Sequence, residues 1–302
     1  MEMLQIPPPP PPPPPQIKHI VISGGVIYGY CFYGALKHLN QQHVWQIDNI
    51  TSIHGTSAGA LVATIISLKY DWQMLDDYFI KRPWHKIFNV NLNTIMNSYN
   101  NIGIFDINVI KEMFLPLFTA KNIPINITMQ EYYNITNIEL HFFSIEIETF
   151  SLTDISHKTH PDWGVMEAIY ASCCAPILFS PFVKNGHIYT DGGILCNFPI
   201  NQCLNSGFDE NETLGIHKHN IFSNHLDVHN LSTYHYISSL LFNLIKTKNE
   251  KTKTIKNIVN VKDIEIQNYD FFSVVKSEKK REELIENGVE SAKLFLDTLT
   301  PP

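Results

Sequence analysis

Residues 50–68 constrain the fold more than any other stretch of this chain. A short apolar run, residues 50–54, leads into Gly55-Thr56-Ser57-Ala58-Gly59, and an Ala-rich apolar segment follows to Leu68. The run reads as a buried strand and the segment as a helix. Between them the pattern G-x-S-x-G demands a sharp turn that lifts the serine hydroxyl out of the backbone, with Gly55 and Gly59 relieving the crowding. A helix that starts at this point aims its free N–H groups and the positive end of its dipole at the serine. Five residues alone fit a tight turn with an incidental serine equally well, so the rest of the chain must decide.

Other segments repeat the strand-then-helix order. Residues 17–23 form a β-branched run closed by Gly24 and Gly25, and residues 30–41 carry Ala35, Leu36 and Leu39 at helical spacing. Helices are expected at 71–80, 106–115 and 164–171, and strands at 139–147 and 188–190. An amphipathic helix over 278–296 is stopped before Pro301 and Pro302. Alternation of this kind predicts an α/β fold with a mostly parallel sheet covered on both faces. Functional groups in such sheets collect beyond the C-terminal ends of the strands. Residues 7–15 are an unbroken run of proline, read as a stiff polyproline II rod outside the core. It serves as a spacer or as a docking segment for a polyproline-binding protein partner. The expected organisation is a disordered proline-rich tail over 1–16 and one domain over 17–302.

Composition excludes several functions. Hydrophobic residues make up 44% and charged residues 17% of the chain, the balance of a molecule with a buried core. A net charge of −7 and no dense Lys/Arg patch with interleaved aromatics argue against nucleic acid. The basic stretches 246–256 and 276–281 read as solvated surface, or as contacts for anionic lipid headgroups. Five cysteines include no C-x-x-C pair, which fits neither a disulfide framework nor a zinc site. A reducing intracellular compartment such as the cytoplasm is the expectation. No signal peptide is visible, and the longest apolar run, 58–68, is too short to span a bilayer. Contact with membranes is therefore expected to be peripheral.

Two further segments carry chemistry. Ser23-Gly24-Gly25-Val26-Ile27-Tyr28-Gly29 closes the first strand, where glycines let backbone N–H groups converge on an oxyanion. A dinucleotide loop would read G-x-G-x-x-G instead. Asp191-Gly192-Gly193 follows the strand at 188–190. A serine nucleophile needs a base, and a carboxylate within hydrogen-bond reach can serve. Taken alone, Asp-Gly is a common turn.

Taken in order, the three segments resemble the patatin-like phospholipase family, with its glycine loop, its G-x-S-x-G elbow and its late D-G-G/A. The flanks resemble it too. Gly34-Ala35-Leu36-Lys37-His38-Leu39 follows the glycine loop. Ala168-Ile169-Tyr170-Ala171-Ser172-Cys173-Cys174-Ala175-Pro176 precedes Asp191, and Gly193-Ile194-Leu195-Cys196-Asn197-Phe198-Pro199 follows it. The likeness covers residues 17–200 well and the rest loosely. It implies a three-layer α/β/α fold and hydrolysis of acyl esters in phospholipids or related lipids through an acyl-enzyme. Ser57 would be the nucleophile and Asp191 its base. Gly24, Gly25 and Val26 would form the oxyanion loop, and Gly29, Gly55, Gly59, Gly192 and Gly193 would be the motif glycines.

The chain departs from the family at two positions. Val26 stands where a third glycine is usual, and Tyr28 where Arg or Lys is usual. These departures support an alternative class: a catalytically weak or inactive module that binds lipid or protein. A Ser-Asp-His triad would need a later histidine, for which His217 and His219 are available in what reads as a polar surface loop. His225, Asp227 and His229 do not form a metal-binding H-E-x-x-H, and no calcium site is evident, so no metal or cofactor is expected. Cys173 and Cys174 read as small packing residues. Trp72, Tyr78, Phe79, Trp84, Ile87 and Phe88, interleaved with Lys81, Arg82, His85 and Lys86, suit either a membrane interface beside the site or the buried side of a helical cap.

Overall fold

The computed structural model describes residues 16–90, 102–218, 253–264 and 269–299. The proline run, His219, His225, Asp227 and His229 lie outside the described residues.

Strands β1 (His19–Ile22) and β2 (Ser52–Thr56) are buried at every position, as parallel strands covered on both faces are; β1 is mostly apolar, whereas β2 buries Ser52, His54 and Thr56. β1 pairs in parallel with β2 on one edge and with β9 (Thr213–His217) on the other. β9 pairs in parallel with β10 (Ile258–Asn260), and β2 with β4 (Glu139–Glu146). Among the described residues the sheet has eight strands, completed by β5 (Ser151–Ile155), β7 (Phe182–Lys184) and β8 (His187–Asp191), which join antiparallel. β3 (Gly103–Phe105) and β6 (Ile177–Phe179) form a separate parallel pair.

Strand β4 positions the site. β2 pairs with its residues 139–143 and β5 with its residues 142–146. Both flank Phe142 and Phe143, so they lie on opposite edges. β8 pairs with 144–146, where β5 already fills one edge, so β8 shares the edge with β2. The two strands run toward each other along it and meet end to end. Thr56 is opposite Phe143, and Asp191 is opposite the next residue, Ser144.

Helices cover both faces. Side chains alternate along a strand: Ile20 and Ile22 enter the main core with α1 (Tyr28–Gln41) and α2 (Ala58–Ser67). Val21 enters a second core with Phe198, Ile200 and Cys203, the latter two on α8 (Ile200–Asn205). The three-layer expectation therefore holds. Between these lie α3 (Trp72–Asp76), which runs into a π turn at Asp77–Lys81, then α4 (Trp84–Ile87), α5 (Ile107–Ala120), α6 (Met129–Thr136) and α7 (Val165–Cys173). α6 starts with a capping box of Thr128 and Glu131. α9 (Phe271–Lys276) and α10 (Glu278–Leu299) close the chain.

α10 belongs to the main core. Its Gly288 lies so close to α1 that an added Cβ would stand 1.9 Å from the Cys31 carbonyl oxygen, and one on Gly34 of α1 would stand 2.1 Å from that of Ile285. Two glycines thus let the backbones touch at the crossing. Segment 72–88 also packs inward. Tyr78, Phe79, Trp84 and Phe88 are buried, Phe79 stacks 4.2 Å from Tyr33 of α1, and Arg82 lies over both Tyr78 and Trp84. Of the two readings of this segment, the buried cap is the one the structure adopts.

Candidate active site

Ser57 occupies the turn between β2 and α2 with φ 53 and ψ −120. A non-glycine residue there is strained by about 1–3 kcal/mol. The surroundings enforce it. A Cβ on Gly59 would stand 2.4 Å from the Ile22 carbonyl oxygen, and one on Gly55 would stand 2.6 Å from Gly59 itself. Helix α2 can start this close to β1 only because both positions lack side chains. The Ser57 N–H donates to Ser172 Oγ at 3.0 Å, whose hydroxyl donates to the Phe143 carbonyl at 2.7 Å. The Cys173 thiol donates to the Ser57 carbonyl at 3.1 Å. Ser57 is therefore tied to β4 and α7 through both of its peptide groups.

Asp191 arrives from the other direction on β8. The Ser57 hydroxyl donates to its Oδ2 at 2.7 Å, and the Gly193 N–H donates to its Oδ1 at 2.7 Å. Gly192 lets the chain pass against β4, since a Cβ there would stand 2.1 Å from the Phe143 carbonyl oxygen. Asp191 is 7% exposed. Burial pushes its carboxyl up to about 6, against the opposing pull of the bonds from Ser57 and Gly193. A buried carboxylate with a raised proton affinity, held on a serine hydroxyl, is equipped to take that hydroxyl's proton.

The glycine loop lies beside this pair, because β1 is the neighbour of β2. Its three amides are not equivalent. The Gly24 N–H already donates to the Asn197 carbonyl at 2.8 Å, while the Asn197 side chain returns a bond to the Gly24 carbonyl at 3.3 Å. Gly24 is a tie between the β1 turn and the loop after β8, and its N–H is not open to an oxyanion. Among the described residues the N–H groups of Gly25 and Val26 find no acceptor. Val26 adopts φ 49 and is 41% exposed, a left-handed conformation that a β-branched residue rarely takes. Gly29 sits in the first turn of α1, where an added Cβ would make ordinary contact with Ala58 at 3.6 Å.

The remaining candidates take structural positions. Both Asp191 oxygens are engaged as described, and His217 ends β9 with its ring stacked 4.3 Å from Phe198. His217, expected with His219 in a polar surface loop, is instead the last residue of β9, and Lys218 after it is buried. Cys173 and Cys174 are buried free thiols whose proton affinity burial raises well above the ordinary value. Sequence reasoning missed Ser172 and Asn197, which hold the two turns. Both lay inside quoted segments, yet nothing in their spacing marks the bonds they make.

Fold and site together define an α/β protein that presents a serine, on a strained strand-to-helix turn, to a buried aspartate from the end of a second strand. A family model described as patatin-like phospholipase matches residues 20–204. The chain belongs to that family. It is 26% identical over 185 residues to "Probable lipid hydrolase 463L" of Invertebrate iridescent virus 6, an alignment covering 61% of this chain and 62% of the relative. It therefore matches less than two thirds of that relative's length. It is 24% identical over 214 residues, 70% of this chain and 67% of the relative, to "Uncharacterized protein R571" of Acanthamoeba polyphaga mimivirus. The fold is similar to the crystal structure of VipD from Legionella pneumophila, with a TM-score of 0.53 at 17% identity, over 94% of this chain and 67% of that one.

Proposed function

We propose that the protein is a lipid acyl hydrolase of phospholipase A type, with Ser57 as nucleophile and Asp191 as its base. The observation that carries this reading is the 2.7 Å hydrogen bond from the Ser57 hydroxyl to a buried carboxylate across the meeting point of β2 and β8. Asp191 takes the Ser57 proton as Oγ attacks the acyl carbon. The tetrahedral oxyanion is stabilised by the Gly25 and Val26 amides, each such donor being worth about 2.7–4 kcal/mol. Asp191 then returns the proton to the departing alcohol, leaving an acyl-enzyme. Water, deprotonated by Asp191, releases the fatty acid and restores Ser57. The name of the viral relative supports a lipid substrate, and an interfacial substrate implies peripheral membrane contact. Five buried free cysteines suit a reducing compartment.

One observation favours a second reading. Val26 adopts φ 49 at the heart of the loop, and a distorted donor there would leave a module that binds lipid without cleaving it. Fatty-acid release from mixed phospholipid vesicles by the native protein, Ser57→Ala and Asp191→Asn separates the two. Hydrolysis by the dyad predicts release that falls by on the order of 10⁴-fold or more in Ser57→Ala. Vesicle binding by the native protein without release, across several headgroups, establishes the binding module instead.

A further inference from the structure

Lysine is among the residues least often fully buried, yet Lys218 is 2% exposed. Its ammonium ion-pairs with Asp263, which follows β10. It also lies over the ring of Tyr28, 4.8 Å from its centroid. An ion pair that takes its cation out of water is weak support for stability, and an apolar residue of the same volume often serves the fold as well. What Lys218 touches gives the better account. Its main-chain N–H donates to Ser23 Oγ at 3.0 Å, immediately before the glycine loop. Its side chain bears on Tyr28, immediately after it. The Tyr28 N–H closes onto the Gly25 carbonyl at 2.9 Å, and the Tyr28 hydroxyl accepts the Ile264 N–H at 3.2 Å. One residue therefore grips both flanks of the turn that carries the Gly25 and Val26 amides.

We infer that Lys218 is a positioning residue for the oxyanion turn: from the end of β9 it supplies the cation that the turn itself lacks, acting through Tyr28. The inference rests on the acyl-hydrolase reading for its kinetic consequences, though not for its structural ones. Burial pulls the Lys218 ammonium down to about 8. The groups that face it are Asp263 from the segment after β10, and Tyr28 and Cys31 from α1. Burial raises the proton affinity of Tyr28, to about 12, and of Cys31, so both stay neutral while Lys218 titrates. The paired Asp263 carboxylate opposes that pull, so the charge is present at neutral pH and lost at alkaline pH.

The test compares Lys218→Met, which keeps the packing volume, with Lys218→Arg, which keeps the charge, on a soluble ester. Lys218→Met is expected to lower kcat between about 10- and 100-fold with KM within about twofold, while Lys218→Arg recovers most of the loss. The native alkaline limb, at about pH 8 or above, should vanish in Lys218→Met. Asp263→Asn, at a half-exposed position, should move that limb to lower pH, and it serves if Lys218→Met does not fold. Native kcat in Lys218→Met, or an unmoved limb in Asp263→Asn, overturns the inference. Amide exchange at Tyr28 and Gly29 gives a readout free of catalysis: it should rise about tenfold in Lys218→Met with β1 unaffected. Inactive native protein sinks the hydrolase reading alone. Unchanged exchange at Tyr28 and Gly29 then sinks the role of Lys218.

Discussion

The turn after β1 and the turn after β2 are built to one plan. Each leaves a buried parallel strand, places one non-glycine residue in the left-handed region, and enters a helix whose second residue is glycine. Val26 adopts φ 49 and Ser57 adopts φ 53; Gly29 follows in α1 and Gly59 in α2. Their surroundings differ. Ser57 has both peptide groups tied, to Ser172 and Cys173, and Gly59 is wedged against the β1 backbone. Val26 is exposed, and Gly29 has room. Strain is therefore locked at Ser57 by the core and held at Val26 by its flanks alone. The presenting turn tolerates nothing, while the neighbouring turn has already accepted a valine.

The sharpest way to break this contrast is to add one methyl group to each helix start. Gly59→Ala drives a Cβ into the carbonyls of Ile22 and Ser23. It should destabilise the protein by about 3 kcal/mol or more, since the clash is with backbone that cannot step aside. Gly29→Ala meets only ordinary contacts and should be neutral or stabilising by up to about 1 kcal/mol from helix propensity. Thermal or urea unfolding measures both. Equal effects would mean that the two turns are equally locked.

The second test concerns the carboxylate buried against the Ser57 turn. The native Asp191 carboxyl is raised to about 6 from 3.8. Its folded proton affinity exceeds the unfolded one, so the ionised group opposes folding fully above about pH 6, and the penalty disappears below pH 4. Asp191→Asn should therefore be more stable than native at pH 7.5 by up to about 3 kcal/mol, with no gain at pH 3.5. The same group predicts an acid limb near pH 6 in kcat/KM, because the base must be ionised. A variant that is less stable than native at neutral pH would show that Asp191 holds the fold together.

The smallest effect is expected at Val26. Val26→Gly removes the left-handed strain but frees the unfolded chain, so a gain of about 1 kcal/mol remains. Hydrolysis of a soluble ester should hold or rise. A fall would mean that the valine side chain contributes to the site.

How much of this was legible in the sequence follows from range. β1, β2, β4 and β8, and the helices after β1 and β2, announce themselves through local pattern, and Ser57, Asp191 and their glycines through motifs. Strands β3, β6, β7 and β10 have three residues each, too few to display a period. Lys218 lies between two histidines in polar sequence and looks like surface; the pairing of β9 with β1 brings it against Ser23 and Tyr28. The Gly24 amide looked available because its acceptor, Asn197, lies far along the chain. Trp84 and Phe88 match a membrane-facing pattern and a buried one equally, and the choice is made by their partners: Trp84 packs on Tyr78, and Phe88 on Phe105 and Phe271.

The end-to-end meeting of β2 and β8 along β4 makes the serine–aspartate geometry digital. Strand register changes only in whole residues, each advancing the chain by about 3.3 Å and turning every side chain to the opposite face. A slip of β8 by one residue would not leave a slightly longer bond between Ser57 and Asp191; it would carry the carboxylate to the wrong side of the sheet. Errors of assembly are thus sorted into complete sites and absent ones. The tolerance of the pair is that of two hydrogen-bonded ladders sharing one straight edge.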